Sequence, residues 1–321
     1  MDPAEFLRAS RVVIVAGKGG VGKTTVTAAL SRTAAAAGLS TLVVEVEGKS
    51  GIAALFDRPP LAYDEAVLLP AAGVAGEVRG RTLTPDDALL DYLHDHGLRR
   101  ISKRLVSTGA MDVIATAAPG IKDILILGKV KQLERSGAAD LIIVDAPAAG
   151  HAITFLQSAR ALLDAVRVGP INAQARDVLE LLTDPARCTV MLVALPEETP
   201  VNELVQTAFA LEDRVGVALA PVVVNGVYPT LEVGPDLDLD ALAAEAGTSL
   251  RPGEADSLRA AAEFRRRRQA LQTTQLERLA SALPLPQLHL PFLFEADLGG
   301  AHVARLAEAL TGEITGLGAA A

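Results

Sequence analysis

The sequence predicts an α/β fold built on a mostly parallel, doubly wound sheet. Short apolar runs alternate along the chain with longer segments of helical character, which is typical of such sheets. A glycine-rich loop joins the first apolar run, residues 12–16, to an alanine-rich segment at 26–37. Unusual polar or aromatic residues directly follow most of the later runs. Because parallel strands end at a common rim, we expect these residues to converge there.

The elements follow from apolar runs and from the residues that begin and end them. Strands are predicted at 12–16, 41–45, 75–83, 139–144, 189–195, 219–224 and 287–290. Helices are predicted at 26–37, 88–96, 98–107, 121–134, 151–163, 173–182, 201–215, 253–283 and 299–311. Prolines mark residues 57–70 as a loop, and residues 228–240 also have loop composition. We expect one domain, 1–321, with a helical excursion at 57–132.

The glycine loop carries the clearest chemical signal. It reads Gly17-Lys18-Gly19-Gly20-Val21-Gly22-Lys23-Thr24-Thr25 and fits the pattern G-x-x-x-x-G-K-T of a phosphate-binding loop. Its glycines allow backbone N–H groups to turn toward phosphates, and the positive end of the following helix dipole adds to that field. Lys23 is expected to reach the β- and γ-phosphates, and the Thr24 hydroxyl to ligate Mg²⁺. The sequence therefore predicts a phosphate-binding loop of the P-loop NTPase type.

An acidic residue completes the expected metal site. Asp145 ends the apolar run 141–144, which is the setting of a Walker B aspartate. Its carboxylate is expected to hold Mg²⁺ through a water, since Mg²⁺ keeps part of its hydration shell.

Lys18 is not needed to bind one nucleotide, and it connects the loop to a known group of proteins. The loop resembles the deviant Walker A motif of the ArsA/MinD/ParA ATPases, in which this lysine reaches across a dimer interface to the partner's nucleotide. Asp145 followed by Gly150-His151 resembles the second switch of the ArsA family, also called guided-entry or tail-anchored-targeting ATPases. The resemblance covers most of residues 11–292. It extends to Pro119-Gly120-Ile121, to Pro196-Glu197 with Glu203, and to Val223-Val224-Asn225.

The resemblance implies roles at the base and in the first switch. Asn225 is expected to hydrogen-bond the adenine edge, and Pro291-Phe292 to flank the base; a strand-end turn and a core phenylalanine are the alternatives. Glu47 stands where ArsA-like proteins have the aspartate that orients the attacking water. Its extra methylene implies slow or partner-dependent hydrolysis, unless Glu47 is only a surface residue beside Lys49. The expected catalytic residues are Lys18, Lys23, Glu47 and Asp145.

Several features of the family's branches are missing. The targeting branch shares a zinc through Cys-x-x-Cys pairs and has a Met-rich insert, and the arsenite branch binds metalloid through cysteines. This chain has one Cys and three Met, so we expect neither zinc nor those client and metalloid functions. Cys188 adjoins an apolar run and is expected to be a buried, inert thiol.

Charge and hydropathy exclude further classes. The formal net charge of −9 disfavours nucleic-acid binding, which depends on clustered Lys and Arg. The run Arg265-Arg266-Arg267-Arg268 shares its helix with acidic residues, so a salt-bridged solvated face is favoured over contact with nucleic acid or membrane. No apolar run reaches membrane-spanning length, and residues 1–11 do not resemble a signal peptide. We therefore expect a cytoplasmic protein.

Together these features predict a dimeric, Mg·ATP-hydrolysing ATPase of the ArsA-like class. It would couple nucleotide state to a conformational change, in anion transport or protein targeting. The dimer is either a homodimer or a heterodimer with a paralogous subunit, and any membrane-protein partner is unknown. Two alternatives remain open. One is a catalytically weak regulatory subunit of a paired ATPase, and the other is a MinD/ParA-type positioning ATPase.

Overall fold

The described strands form a single nine-stranded sheet. The structure is a computed structural model that describes residues 1–46, 51–95, 97, 120–231 and 238–318. The strands are β1 Val12–Gly17, β2 Thr41–Val46, β3 Ala66–Leu69, β4 Val78–Leu83, β5 Leu141–Ala148, β6 Cys188–Ala194, β7 Ala218–Leu219, β8 Val222–Val227 and β9 Gln287–Pro291. Their order is β3-β4-β2-β5-β1-β6-β8-β9, and β7 pairs with β6. Only β3 among them runs antiparallel to its neighbour, which confirms the mostly parallel sheet.

Helices precede, connect and follow the strands. They are α1 Pro3–Arg8, α2 Lys23–Ala36, α3 Gly51–Ala54, α4 Pro85–Asp95, α5 Ile121–Ser136, α6 Ala149–Ala165, α7 Pro170–Thr183, α8 Glu198–Val215, α9 Leu239–Glu245, α10 Glu254–Ala282 and α11 Gly300–Leu317. Helices α2 and α11 cover one face of the sheet, and α5 to α8 cover the other.

The central strand β1 is buried on both faces because its side chains alternate between two cores. Val12 and Ile14 belong to the core beneath α5 to α8, which also contains Phe155. Val13 and Val15 belong to the core beneath α2 and α11. This alternation follows from the period of two in a strand, and burial of both faces is typical of parallel sheets. The loop that follows β1 is therefore held by a rigid strand.

Some elements differ from the expectations. The predicted strand 219–224 is divided into β7 and β8, because Pro221 between them has no N–H to donate to the ladder. Strand β3 falls in the predicted loop 57–70, where it pairs with β4 at the edge of the sheet. The region 57–132 thus begins with two strands before its helices. The predicted helix 98–107 lies outside the described residues.

Short helices were also missed. Helix α1 begins because the Asp2 side chain accepts a hydrogen bond from Glu5 N at 3.0 Å and because Pro3 suits a first turn. Helices α3 and α9 span four and seven residues, too few to show a helical period in the sequence.

The expected burial of Cys188 is confirmed by the fold. Cys188 is fully buried at the start of β6, and this burial raises the pKa of its thiol to about 12. Within the described residues, no helix combines the length and the apolar character needed to cross a membrane.

Candidate nucleotide site

The loop between β1 and α2 depends on glycines at two close contacts. A Cβ on Gly17 would lie 2.3 Å from the Val193 carbonyl oxygen of β6. Gly22 has φ 87°, and a Cβ there would lie 2.3 Å from Nδ2 of Asn225. A side chain at position 17 would displace the backbone of β6, and one at position 22 would displace the side-chain amide of Asn225. The two glycines of the motif therefore allow the loop to pack against β6 and the end of β8.

Lys23 lies at the first position of α2 and folds back over the loop. Its Nζ donates a hydrogen bond to the carbonyl oxygen of Lys18 at 3.0 Å, and the residue is only 9 % exposed. The N-cap of α2 is Gly22, which has no side chain to cap the helix. A buried ammonium group and a helix N-terminus thus act at the same place, and both favour an anion.

Thr24 and Asp145 bring two oxygen ligands together. The Thr24 hydroxyl donates a hydrogen bond to Oδ2 of Asp145 at 2.7 Å, and Asp145 is 5 % exposed. Strand β5 carries Asp145 beside Val15 of β1, so sheet register fixes the carboxylate next to the loop. Hydroxyl and carboxylate oxygens are the ligands that Mg²⁺ prefers, and this pair fits such an ion.

Most of the expected phosphate and metal ligands line one cavity. Its volume is about 350 Å³, within the range of small-molecule sites. The lining residues are Gly19, Gly20, Gly22, Lys23, Thr24, Asp145 and Ala146. The cavity opens at the carboxyl ends of β1 and β5, the rim where the sequence placed it.

Lys18 is not among the residues that line this cavity, and its side chain contacts helix α8 instead. Its Nζ lies 2.6 Å from Oε1 of Glu203 on α8, and the two side chains are 39 % and 38 % exposed. The lysine that is expected to cross a dimer interface is therefore held within its own subunit. The ion pair joins the phosphate loop to the first half of α8.

The expected base-binding residues lie at the ends of β8 and β9. Asn225 donates a hydrogen bond from Nδ2 to the Val21 carbonyl at 3.0 Å, so its side chain holds the phosphate loop rather than only turning the strand end. Phe292 directly follows β9, with Pro291 as the last strand residue. It is 38 % exposed, which argues against a core phenylalanine. Its ring centroid lies 5.0 Å from that of Tyr228 and 4.9 Å from that of Phe294.

The structure describes the residues on either side of the first switch but not Glu47 itself. Glu47 lies outside the described residues, as do Pro119 and the side chain of His151. On the carboxyl side, a Cβ on Gly51 would lie 3.4 Å from Cγ2 of Thr24. The chain thus returns to the metal-ligand pair immediately after the first switch.

Two polar residues near the site were missed by the sequence reasoning. Glu45, at 1 % exposure, accepts hydrogen bonds from Thr82 Oγ1 at 2.9 Å and from Ile52 N at 3.4 Å. It ties the end of β2 to β4 and to α3. Gln272 is one of two buried residues on helix α10 and bonds the chain after Asn225. The sequence does give a signal for Glu45, because it is an acidic residue inside an apolar run. Nothing in the sequence singles out Gln272.

The arginine run on α10 makes local contacts, as the acidic residues of that helix predicted. Arg267 pairs with Glu263, and Arg268 lies 3.1 Å from Glu197. The Arg265 guanidinium lies 5.0 Å from the ring centroid of Phe294. The run is therefore engaged with its own chain.

Comparison with known proteins identifies the family of the chain. Residues 10–169 match the ArsA family, described as anion-transporting ATPase. The chain is 36 % identical over 257 residues to ATPase BagA of Mycobacterium tuberculosis, an alignment that covers 78 % of this chain and 72 % of that protein. It is 26 % identical to the arsenical pump-driving ATPase of Escherichia coli, over 67 % of this chain and 39 % of that protein. It is 27 % identical to ATPase get3 of Neurospora crassa, over 52 % and 48 %. The chain therefore belongs to the ArsA family of P-loop ATPases, which hydrolyse ATP.

Proposed function

We propose that the protein binds Mg·ATP in the cavity behind the glycine loop and that two subunits face each other across the nucleotides. The observation that carries the proposal is the 2.7 Å contact between the Thr24 hydroxyl and the Asp145 carboxylate, beside Lys23. A hydroxyl, a carboxylate and an ammonium group at one helix N-terminus match the three needs of a metal-bound triphosphate.

Each residue has a distinct role in this arrangement. The loop amides hold the phosphates, and Lys23 exchanges the Lys18 carbonyl for a phosphate oxygen. Thr24 and Asp145 would hold the metal ion. When bound, Mg²⁺ neutralises charge on the phosphates. Catalysis of phosphoryl transfer is mostly positioning and charge neutralisation, and these side chains supply both. Glu47 orients the attacking water.

The surroundings of Lys18 support the proposal of a dimer. It is partly exposed on the loop and has a partner, Glu203, that lies at the surface of the same subunit. An ion pair of this kind exchanges readily, because solvent already screens much of its energy. Release from Glu203 frees Lys18 to reach the nucleotide of a facing subunit. The facing subunit is a second copy of this chain or a paralogous chain.

Coupling to a conformational change is supported by the order of the strands. Strands β2 and β5 are neighbours, and Glu45 pairs in register with Asp145. The first switch follows β2, and the second begins with Asp145 inside β5, so gain or loss of the γ-phosphate acts on both at once. Relatives are named arsenical pump-driving ATPase and get3. We propose a corresponding role in driving anion transport or protein targeting. Thiolate capture of a metalloid is not part of it, because Cys188 is buried.

Binding and hydrolysis are tested on the purified chain. Calorimetry with ATP and Mg²⁺ should show binding that Lys23→Ala weakens by about 10- to 150-fold, the loss expected for hydrogen bonds to charged groups. Lys122→Ala, an exposed lysine on α5, is the matched control. No ATP binding by the unmodified chain would overturn the proposal. Binding with phosphate release no faster than in Lys23→Ala would favour the regulatory-subunit alternative, which the glutamate at position 47 makes credible.

A further inference from the structure

Helix α10 carries a buried polar residue that the proposed chemistry does not use. The helix is 29 residues long, and its buried residues are Gln272 and Leu279. Leu279 packs in the apolar core, as expected for a leucine. Gln272 is 6 % exposed. Burying an amide costs free energy unless its hydrogen bonds are satisfied, so the contacts of this side chain indicate its role.

The Gln272 amide is bonded on both sides to the same short segment. Nε2 donates to the Gly226 carbonyl oxygen at 3.0 Å, and Oε1 accepts from the Tyr228 N–H at 2.8 Å. The side chain thus pairs with the backbone as a neighbouring strand would. Gly226 has φ 76°, a conformation that few residues with side chains adopt. Gln272 therefore fixes the turn at the end of β8.

This turn joins the phosphate loop to an aromatic surface. Just before it, Asn225 bonds the Val21 carbonyl of the loop. That bond uses one of the two N–H donors of the amide and leaves its oxygen as an acceptor. Just after it, the ring of Tyr228 contacts those of Phe292 and Phe294. A partly exposed wall of three rings thus stands on the same rim as the phosphate cavity.

The aromatic wall suits a nucleobase. Phe294 is 59 % exposed, and Arg265 lies over its ring. Exposed aromatic rings favour stacking with the π-face of a base, whereas discrimination between bases requires hydrogen bonds at a fixed place. The segment that Gln272 holds carries Asn225, which can hydrogen-bond a base, and Tyr228, whose ring belongs to the aromatic wall.

We propose that Gln272 is a positioning residue for base recognition: it fixes the turn that sets Asn225 and Tyr228 relative to the bound purine. The proposal rests on the proposed function, because it assumes that a nucleoside triphosphate occupies the cavity. It concerns only the base end of that ligand. Loss of Gln272 should therefore change the preference between bases and leave the grip on the phosphates intact.

The test measures three ligands by calorimetry in the presence of Mg²⁺: ATP, GTP and inorganic tripolyphosphate, which has no base. Gln272→Met keeps the length of the side chain and removes both hydrogen bonds. We expect the ratio of ATP to GTP affinity to fall about 2- to 12-fold, the range for loss of a neutral hydrogen bond. The affinity for tripolyphosphate should change less than about twofold. The matched control is Gln269→Met, one turn earlier, whose side chain bonds the Pro229 carbonyl from an exposed position. It should keep the ratio.

Each outcome decides a different question. Failure of the unmodified chain to bind ATP would overturn the proposed function. Normal ATP binding with the same ratio in Gln272→Met, or with no base preference in the unmodified chain, would overturn only the role of Gln272. A parallel loss of tripolyphosphate affinity would show a general structural role and would also overturn it. If Gln272→Met does not fold, Gln272→Glu decides, since it still accepts from Tyr228 but lacks the donor to Gly226.

Discussion

Replacing Glu203 with glutamine should strengthen ATP-dependent dimerisation. In the described subunit, Glu203 holds Lys18 at 2.6 Å. If Lys18 serves the facing subunit's nucleotide, this ion pair must break before the dimer closes. Glu203→Gln removes the charge that retains the lysine and keeps the shape of the side chain. The variant therefore raises the free energy of the open subunit relative to the closed dimer.

The exposure of the pair sets the size of the effect. The side chains of Lys18 and Glu203 are 39 % and 38 % exposed, so solvent screens their attraction. Ion pairs of this kind contribute about 0.2–1 kcal/mol each. A dimer breaks two of them, which amounts to about 0.4–2 kcal/mol, or a dimer about 2- to 30-fold tighter in the variant. At 1 M salt the difference should shrink, since the Debye length is then about 3 Å.

Sedimentation equilibrium with Mg²⁺ and a non-hydrolysable ATP analogue measures the dimer dissociation constant. Glu212→Gln is the matched control, because it removes the same charge from an exposed position nearer the end of α8 and tests for simple loss of repulsion between acidic subunits. Lys18→Ala should weaken the dimer. The reasoning is refuted if Glu203→Gln dimerises no more tightly than Glu212→Gln, or if Lys18→Ala dimerises as well as the unmodified chain.

Three further predictions concern the metal, the first switch and the core. Asp145→Asn should lower the Mg²⁺-dependent part of ATP affinity about 10- to 150-fold, measured by calorimetry with and without EDTA; equal affinities would contradict a metal role. Glu47→Asp should raise the rate of phosphate release about 10- to 100-fold, since the shorter carboxylate restores the position that orients water; an unchanged rate would exclude that role. For Cys188, burial raises the pKa from 9.0 to about 12, so only the unfolded thiol ionises in that interval. The free energy of unfolding should therefore fall about 1.4 kcal/mol per pH unit between pH 9 and 12 relative to Cys188→Ala, measured by denaturant titration, and parallel pH profiles would contradict it.

The sequence was most informative where chemistry and local geometry coincide. A phosphate loop needs glycines, a lysine and a hydroxyl at fixed spacing, so residues 17–25 identify it without a structure. Asp145 was recognisable because a carboxylate that directly follows a buried apolar run needs a cation or hydrogen bonds to offset the cost of its burial. The alternation of strands and helices then placed both at one rim, and the sheet order confirms that β1 and β5 are neighbours.

Contacts that depend on distant segments were not predictable in the same way. Strand β3 was missed because its apolar run is only four residues long and lies in a segment with three prolines; it is an edge strand, and two of its four residues are exposed. Gln272 is an ordinary helix residue in sequence, and its role follows only from the approach of α10 to the end of β8. The ion pair of Lys18 with Glu203 likewise depends on how α8 packs after β6.

The phosphate loop shows why both kinds of information are needed. Its motif explains Gly17 and Gly22 as residues that free the backbone for phosphates. The structure adds a second reason, since Val193 and Asn225 occupy the space where Cβ atoms would lie. The loop is therefore shaped from outside by β6 and by the end of β8, the same segment that meets the aromatic wall. Asn225 bonds the Val21 carbonyl of the loop. Under the proposed function, a base at that wall would reach this same side chain, and the contact would connect the base end of the nucleotide to the loop that holds its phosphates.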